Sequence, residues 1–210
     1  MNSLTEVGRR KTEFQWLADQ LLAANTHFYL AKKLLEAKNG EFKNEFSKSL
    51  GFWDSTIIAH HRAAIQHLCR LYDDHKDDER GKTFHLLRFV ERIDVGRLTE
   101  KQREQRQHDN DFLQRETKDR RPNPMVANLR EWRRKLIAHL DYDCAIDQPE
   151  KFISKHPLNF SDIESLAEQG FSILEKWAFC YHVNCDISRL ASWKDDYLHV
   201  FESLRNDARV

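Results

Sequence analysis

Residues 123–143 read NPMVANLREWRRKLIAHLDYD, and this stretch decides the fold. Pro124 suits the first turn of a helix, where its missing N–H costs nothing, and Asn123 before it is a good N-cap. Met125, Leu129, Trp132, Leu136 and Leu140 follow at intervals of four, three, four and four. At about 3.6 residues per turn they share one narrow face, which predicts a single amphipathic helix. On a straight helix His139 sits about 50° to one side of that stripe and Arg133 about 70° to the other, with Arg134 on the opposite face. An arginine and a histidine flanking one seam suit phosphodiester chemistry. The guanidinium binds phosphate oxygens, and a neutral imidazole accepts a proton. The plainer reading is that His139 closes a helix end, where the dipole favours a cation, and that Arg133 is a solvated flank residue.

On the N-terminal side, RRPNP (120–124) is a turn, because its two prolines stop any helix passing through. Residues 97–119 read as a very polar helix, expected to project into solvent or lie across another chain. Residues 10–38 have apolar positions near helical spacing (Phe14, Leu17, Leu21, Phe28, Ala31, Leu35), with Asn39-Gly40 as a stop. A short helix is expected over Glu41–Leu50 and a break at Gly51. Residues 52–75 carry two adjacent stripes, Trp53/Ile57/Ala64/Leu68/Leu71 and Ile58/Ile65/Cys69/Tyr72. That apolar arc predicts a central helix packed on two sides. His61 lies inside the arc, as a hydrogen-bonded core histidine would, while Arg70 and Asp73 lie outside it. A short helix is predicted over Thr83–Ile93. Beyond the quoted stretch, 142–160 reads as a loop. Ser161 and Glu164 have capping-box spacing and open a helix to about Asn184. A last helix begins at Ser192 or Asp195 and runs through Leu204. No alternating strand pattern is present. The chain is expected to be all-α, one domain over 1–210.

Composition narrows the function. Lys plus Arg and Asp plus Glu both number 34, so net charge argues for no general nucleic-acid binding. Between Arg97 and Lys135, however, bases exceed acids, and a modest basic face could hold RNA. The four cysteines form no C-x-x-C, and no H-E-x-x-H is present. Neither a zinc cluster nor a disulfide framework is expected, and no metal or cofactor. The start lacks the apolar core of a signal peptide, and no run is long enough to span a membrane. A reduced, cytoplasmic protein without a membrane partner is the expectation.

The string RRKLIAHLD (133–141) resembles the RDKxxAHxD form of the HEPN superfamily, whose signature is an arginine, four to six residues, then a histidine. HRAAIQHLCRLYDD (61–74) resembles the "aLxRLfD" helix of the same abortive-infection (phage-defence), AbiU-like branch, in the expected order. The resemblance implies a HEPN-like helical bundle, here with an additional polar helix and a C-terminal helix. It also implies a metal-independent RNA endonuclease of prokaryotic defence or toxin–antitoxin biology, whose composite Arg/His site forms across a homodimer. RNA and an antitoxin protein are the implied partners. Arg133 and His139 become the catalytic pair, supported by Arg134, Asp141, Arg70 and Asp73. Asp141 would orient His139, or is an ordinary helix-end carboxylate; Arg70 and Asp73 would fix the pair, or form an i,i+3 ion pair. The position after the signature arginine, usually Asn, Asp or His, holds Arg134, or Lys135 if Arg134 is itself the signature residue. Neither accepts a hydrogen bond, and the helical angles favour Arg133. Arg103, Arg106 and Arg115 of the polar helix are candidates to track an RNA backbone. The alternative is a non-catalytic HEPN-like module that binds RNA, a nucleotide or a protein.

Overall fold

The computed structural model describes residues 3–73, 84–114, 123–137 and 149–183. Among them there are helices and turns and no strand, so the fold is all-α. The helices are α1 (Ser3–Asn39), α2 (Lys43–Ser47), α3 (Leu50–Leu71), α4 (Leu86–Glu91), α5 (Glu100–Leu113), α6 (Pro124–Trp132), α7 (Pro149–Lys155) and α8 (Phe160–Trp177).

The frame is the long pair α1 and α3, with α8 laid against both and α6 against α3 and α8. Phe14, Leu17, Leu21, Phe28 and Ala31 of α1 are buried, as their spacing requires. On α3, Ala64, Ile65, Leu68, Cys69 and Leu71 are all buried against neighbouring helices, so the C-terminal part of its wide apolar arc is covered, while Ile58 of the same arc is 49% exposed. Gly170 of α8 permits a close approach to α1: a Cβ there would lie 2.6 Å from Leu21 Cδ2. Tyr72 and Tyr181 cross the core and donate to the carbonyls of Leu166 (2.6 Å) and Phe89 (2.9 Å), so neither buried hydroxyl is left unpaired. A smaller cluster of Leu34, Phe42, Phe46 and Ile57 closes the far end, where α2 turns the chain from α1 into α3.

Several local expectations shift. Gly51 does not break a helix; it lies in the first turn of α3, and the break falls at Lys48–Ser49. The capping box of α8 is Asn159 with Asp162, two residues before the Ser161/Glu164 pair; an asparagine side chain caps as well as a serine. Helix α7 occupies part of the expected 142–160 loop. The polar helix does not project. Asp109 and Leu113 bury one face of α5, α5 lies against α4, and Arg106 donates to the carbonyls of Val90 (3.0 Å) and Glu91 (2.9 Å) at the end of α4. Burial here runs through charged and polar groups, which hydrophobic periodicity does not register.

The decisive stretch is not one straight α-helix. Asn123 caps α6 through Met125 N–H (2.9 Å), with Pro124 in the first turn as expected. The α-helix stops at Trp132 and continues as a π-helical turn, Arg133–Ile137. A π turn is wider than an α turn, so angles counted at the α-helical step no longer hold beyond Trp132. The inward face of α6 is also centred differently: Val126 and Leu129 are fully buried, while Met125 and Trp132 are only partly covered.

Candidate functional site

Arg133 begins the π turn, and its Nη1 donates to Oδ1 of Asp73. Asp73 follows the end of α3 and is only 5% exposed. A carboxylate at that depth requires a charged or hydrogen-bonding partner, and a guanidinium supplies both. Beneath the pair, Cys69 is buried and donates to Leu129 O (3.6 Å). Burial pushes its thiol far up, only partly offset by Arg133, so it is an inert structural thiol.

Arg133 and Asp73 open onto a cleft of about 450 Å³, also lined by Arg9, Thr12, Glu13, Trp16, Arg70 and Phe84. The N-terminal part of α1 forms one wall, and the end of α3 with the start of the π turn forms the other. Glu13 is held by Arg92 (2.8 Å), whose guanidinium lies over the Phe84 ring. Arg70 reaches Gln20 Oε1 at 3.4 Å. The sequence therefore pointed to three residues that the fold brings to one cleft: Arg70, Asp73 and Arg133. Arg134 faces away from it, 62% exposed and paired with Glu131 at 2.6 Å.

The AbiU2 family of HEPN domains matches residues 11–209. The chain belongs to the AbiU2 family. Neither a search of curated proteins nor one of solved structures finds a match. Family membership ties both strings, 61–74 and 133–141, to one HEPN module, and the Asp73–Arg133 contact joins those strings in space.

The remaining residues singled out in this AbiU2-family chain are placed unequally. His139, Asp141 and Arg115 lie outside the described residues. Arg103 is exposed beside Glu100 (3.5 Å), whereas Arg106 spends its guanidinium on the α4 carbonyls. Among the described residues no group of three or more His, Cys, Asp or Glu is arranged to hold a metal ion, and no helix is long and apolar enough to cross a membrane.

Sequence reasoning missed two features. Arg130, one turn before Arg133, donates to the carbonyls of Tyr72 (2.9 Å), Leu113 (2.7 Å) and Gln114 (3.0 Å). It gathers the carboxyl ends of α3 and α5 at the start of the site, where orphan carbonyls favour a cation. The second is a histidine cluster. His27 Nδ1 meets His60 Nδ1 at 2.8 Å, and the His27 ring stacks on His67. The signal was present: His60 and His67 are seven apart, two turns along one face of α3. His67 Nδ1 and Arg70 share Gln20 Oε1 at 2.9 and 3.4 Å. Arginine can only donate, so this Gln20 atom is the carbonyl oxygen and His67 Nδ1 donates as well. Burial lowers the pKa of all three histidines and of His61; His61 was expected to be hydrogen-bonded, but among the described residues it stacks on Phe160 and makes no hydrogen bond.

Proposed function

We propose that this protein is a HEPN-type, metal-independent RNA endonuclease in prokaryotic defence or toxin–antitoxin biology, with a composite Arg/His site completed across a homodimer. The observation that carries the reading is the cleft position of Arg133, with its guanidinium oriented by the buried carboxylate of Asp73. In the reaction His139 takes the proton of a ribose 2′-OH. The 2′-oxygen attacks the adjacent phosphorus, and the bond to the 5′-oxygen breaks. That leaving oxygen takes up a proton, supplied by the histidine of the second subunit. The products are a 2′,3′-cyclic phosphate and a 5′-hydroxyl. Arg133 neutralises charge on the phosphoryl oxygens as it builds, and its planar fork contacts two of them. A two-fold axis brings two copies of the same surface together and so doubles the Arg and His groups. An antitoxin protein would act by covering this surface.

A second reading has its own support. Part of the Arg133 charge is already neutralised by Asp73, and Arg134 fills a position where a hydrogen-bond acceptor is usual. Both suit a non-catalytic module that binds RNA, a nucleotide or a protein. The deciding experiment is RNA cleavage in EDTA by wild type, Arg133→Ala and His139→Ala. The nuclease reading expects cyclic-phosphate ends from the wild type and loss of cleavage in both variants. Cleavage that survives His139→Ala would overturn the assignment. RNA binding by a folded wild type that cleaves nothing would favour the binding module.

A further inference from the structure

The cleft holds more than the Arg133–Asp73 pair. Trp16 is 38% exposed on its wall, between the fully buried Phe14 and Leu17. Among the described residues its indole makes neither a hydrogen bond nor a ring contact. Arg9 and Arg70 flank it. Among the described residues, Arg9 has one loose ion pair, at 3.8 Å to Glu13, and Glu13 is already engaged by Arg92 at 2.8 Å. Among the described residues, Arg70 has only the long contact to Gln20. Two weakly engaged guanidinium groups and an unused aromatic face therefore share an open cavity of about 450 Å³, within the range that holds a nucleotide-sized ligand. A base offers a π-face for tryptophan whatever its sequence, and its flanking phosphates are what arginines grip.

We propose that this cleft is a base-stacking subsite for single-stranded RNA, with one unpaired base on Trp16 and the flanking phosphates on Arg9 and Arg70, next to the phosphate position at Arg133. This deepens the nuclease reading and rests on RNA being the ligand. The subsite selects unpaired strands, because a base inside a duplex presents no free face to an indole. It selects little by sequence, since no base-edge reader is required.

The test is anisotropy binding of a labelled single-stranded RNA of about 12 nucleotides, with its duplex as competitor. Trp16→Ala should weaken binding roughly 10-fold, Trp16→Phe should retain most of the affinity, and the duplex should compete poorly. Arg70→Ala should flatten the salt dependence by about one phosphate contact. Both arginines are solvent-facing, so the double variant Arg9→Ala/Arg70→Ala serves if Trp16→Ala fails to fold. Wild-type RNA affinity in Trp16→Ala and in the double variant would overturn the subsite while leaving nuclease activity to stand on Arg133 and His139. A changed oligomeric state in Trp16→Ala with unchanged RNA affinity would identify a protein contact and equally overturn it. A wild type that neither binds nor cleaves RNA would remove both proposals.

Discussion

Asp109 and Asp73 are 4% and 5% exposed, yet they serve opposite ends. Asp109 on α5 accepts from Lys176 Nζ (2.8 and 3.0 Å), Trp177 Nε1 (2.8 Å) and Gln105 Nε2 (3.2 Å). Its donors come from its own helix and from α8, and it lines no part of the cleft. Asp73 holds Arg133, a residue of another element whose guanidinium reaches the cleft. Equal burial thus marks a closed staple in one case and an open site in the other. The two ion-pair partners, Lys176 and Arg133, are about equally exposed; the difference is that Arg133 lines the cleft, whereas neither Lys176 nor Trp177 does.

The largest expected effect is on the staple. Asp109→Ala leaves Trp177 N–H and Lys176 without their acceptor, and should cost about 3 kcal/mol, a Tm drop on the order of 10 °C. Thermal unfolding that barely moves would erase the distinction. Asp73→Asn keeps the shape and one acceptor but removes the charge that orients Arg133. It should cost about 1–2 kcal/mol, yet lower any RNA cleavage roughly 10-fold or more. Asp109→Asn should show the reverse ranking, a larger stability loss with per-molecule cleavage preserved once the protein is folded. If the two asparagine variants rank alike in both assays, the comparison fails.

Acid acts on the histidine cluster between α1 and α3. His27, His60 and His67 have folded pKa values below the ordinary 6.5, because burial disfavours the cation, Arg70 adds to the effect at His67, and His27 adds to it at His60 and His67. Below that value the unfolded chain binds more protons than the folded one. Stability should therefore be flat above about pH 6.5 and fall as the pH drops through the lower folded values. Urea midpoints across this range check it. His27→Gln should flatten the slope, because the His27–His60 contact can share one proton but cannot hold two charged rings. The smallest effect belongs to Arg134→Ala, an exposed i,i+3 partner of Glu131, which should stay within about 0.5 kcal/mol of wild type.

The long helices were legible because their evidence is local. The apolar positions of α1 and α3 recur at the helical step, and the Asn123-Pro124 start of α6 needs only neighbouring residues. The site was legible in part. Arg70 and Asp73 were singled out beside Arg133 from the two family-like strings. The Arg130 staple escaped notice because its three acceptors lie at the ends of two other helices. The π turn escaped because apolar spacing of four, three, four and four fits an α-helix equally well. Helix α5 looked like a solvated rod because its burial runs through Asp109 and Arg106, whose partners are distant in the chain.

The sequence by itself determined an all-α chain of the AbiU2 family, since helical periodicity, capping and a family signature are all written in short windows. Only the tertiary structure decided that Arg133 lies on a cleft, that Asp73 orients it, that Asp109 closes a different part of the molecule, and that Trp16 stays part-exposed on the cleft wall. A charged side chain's role depends on what desolvates it and what it meets, and those partners come from helices dozens of residues away.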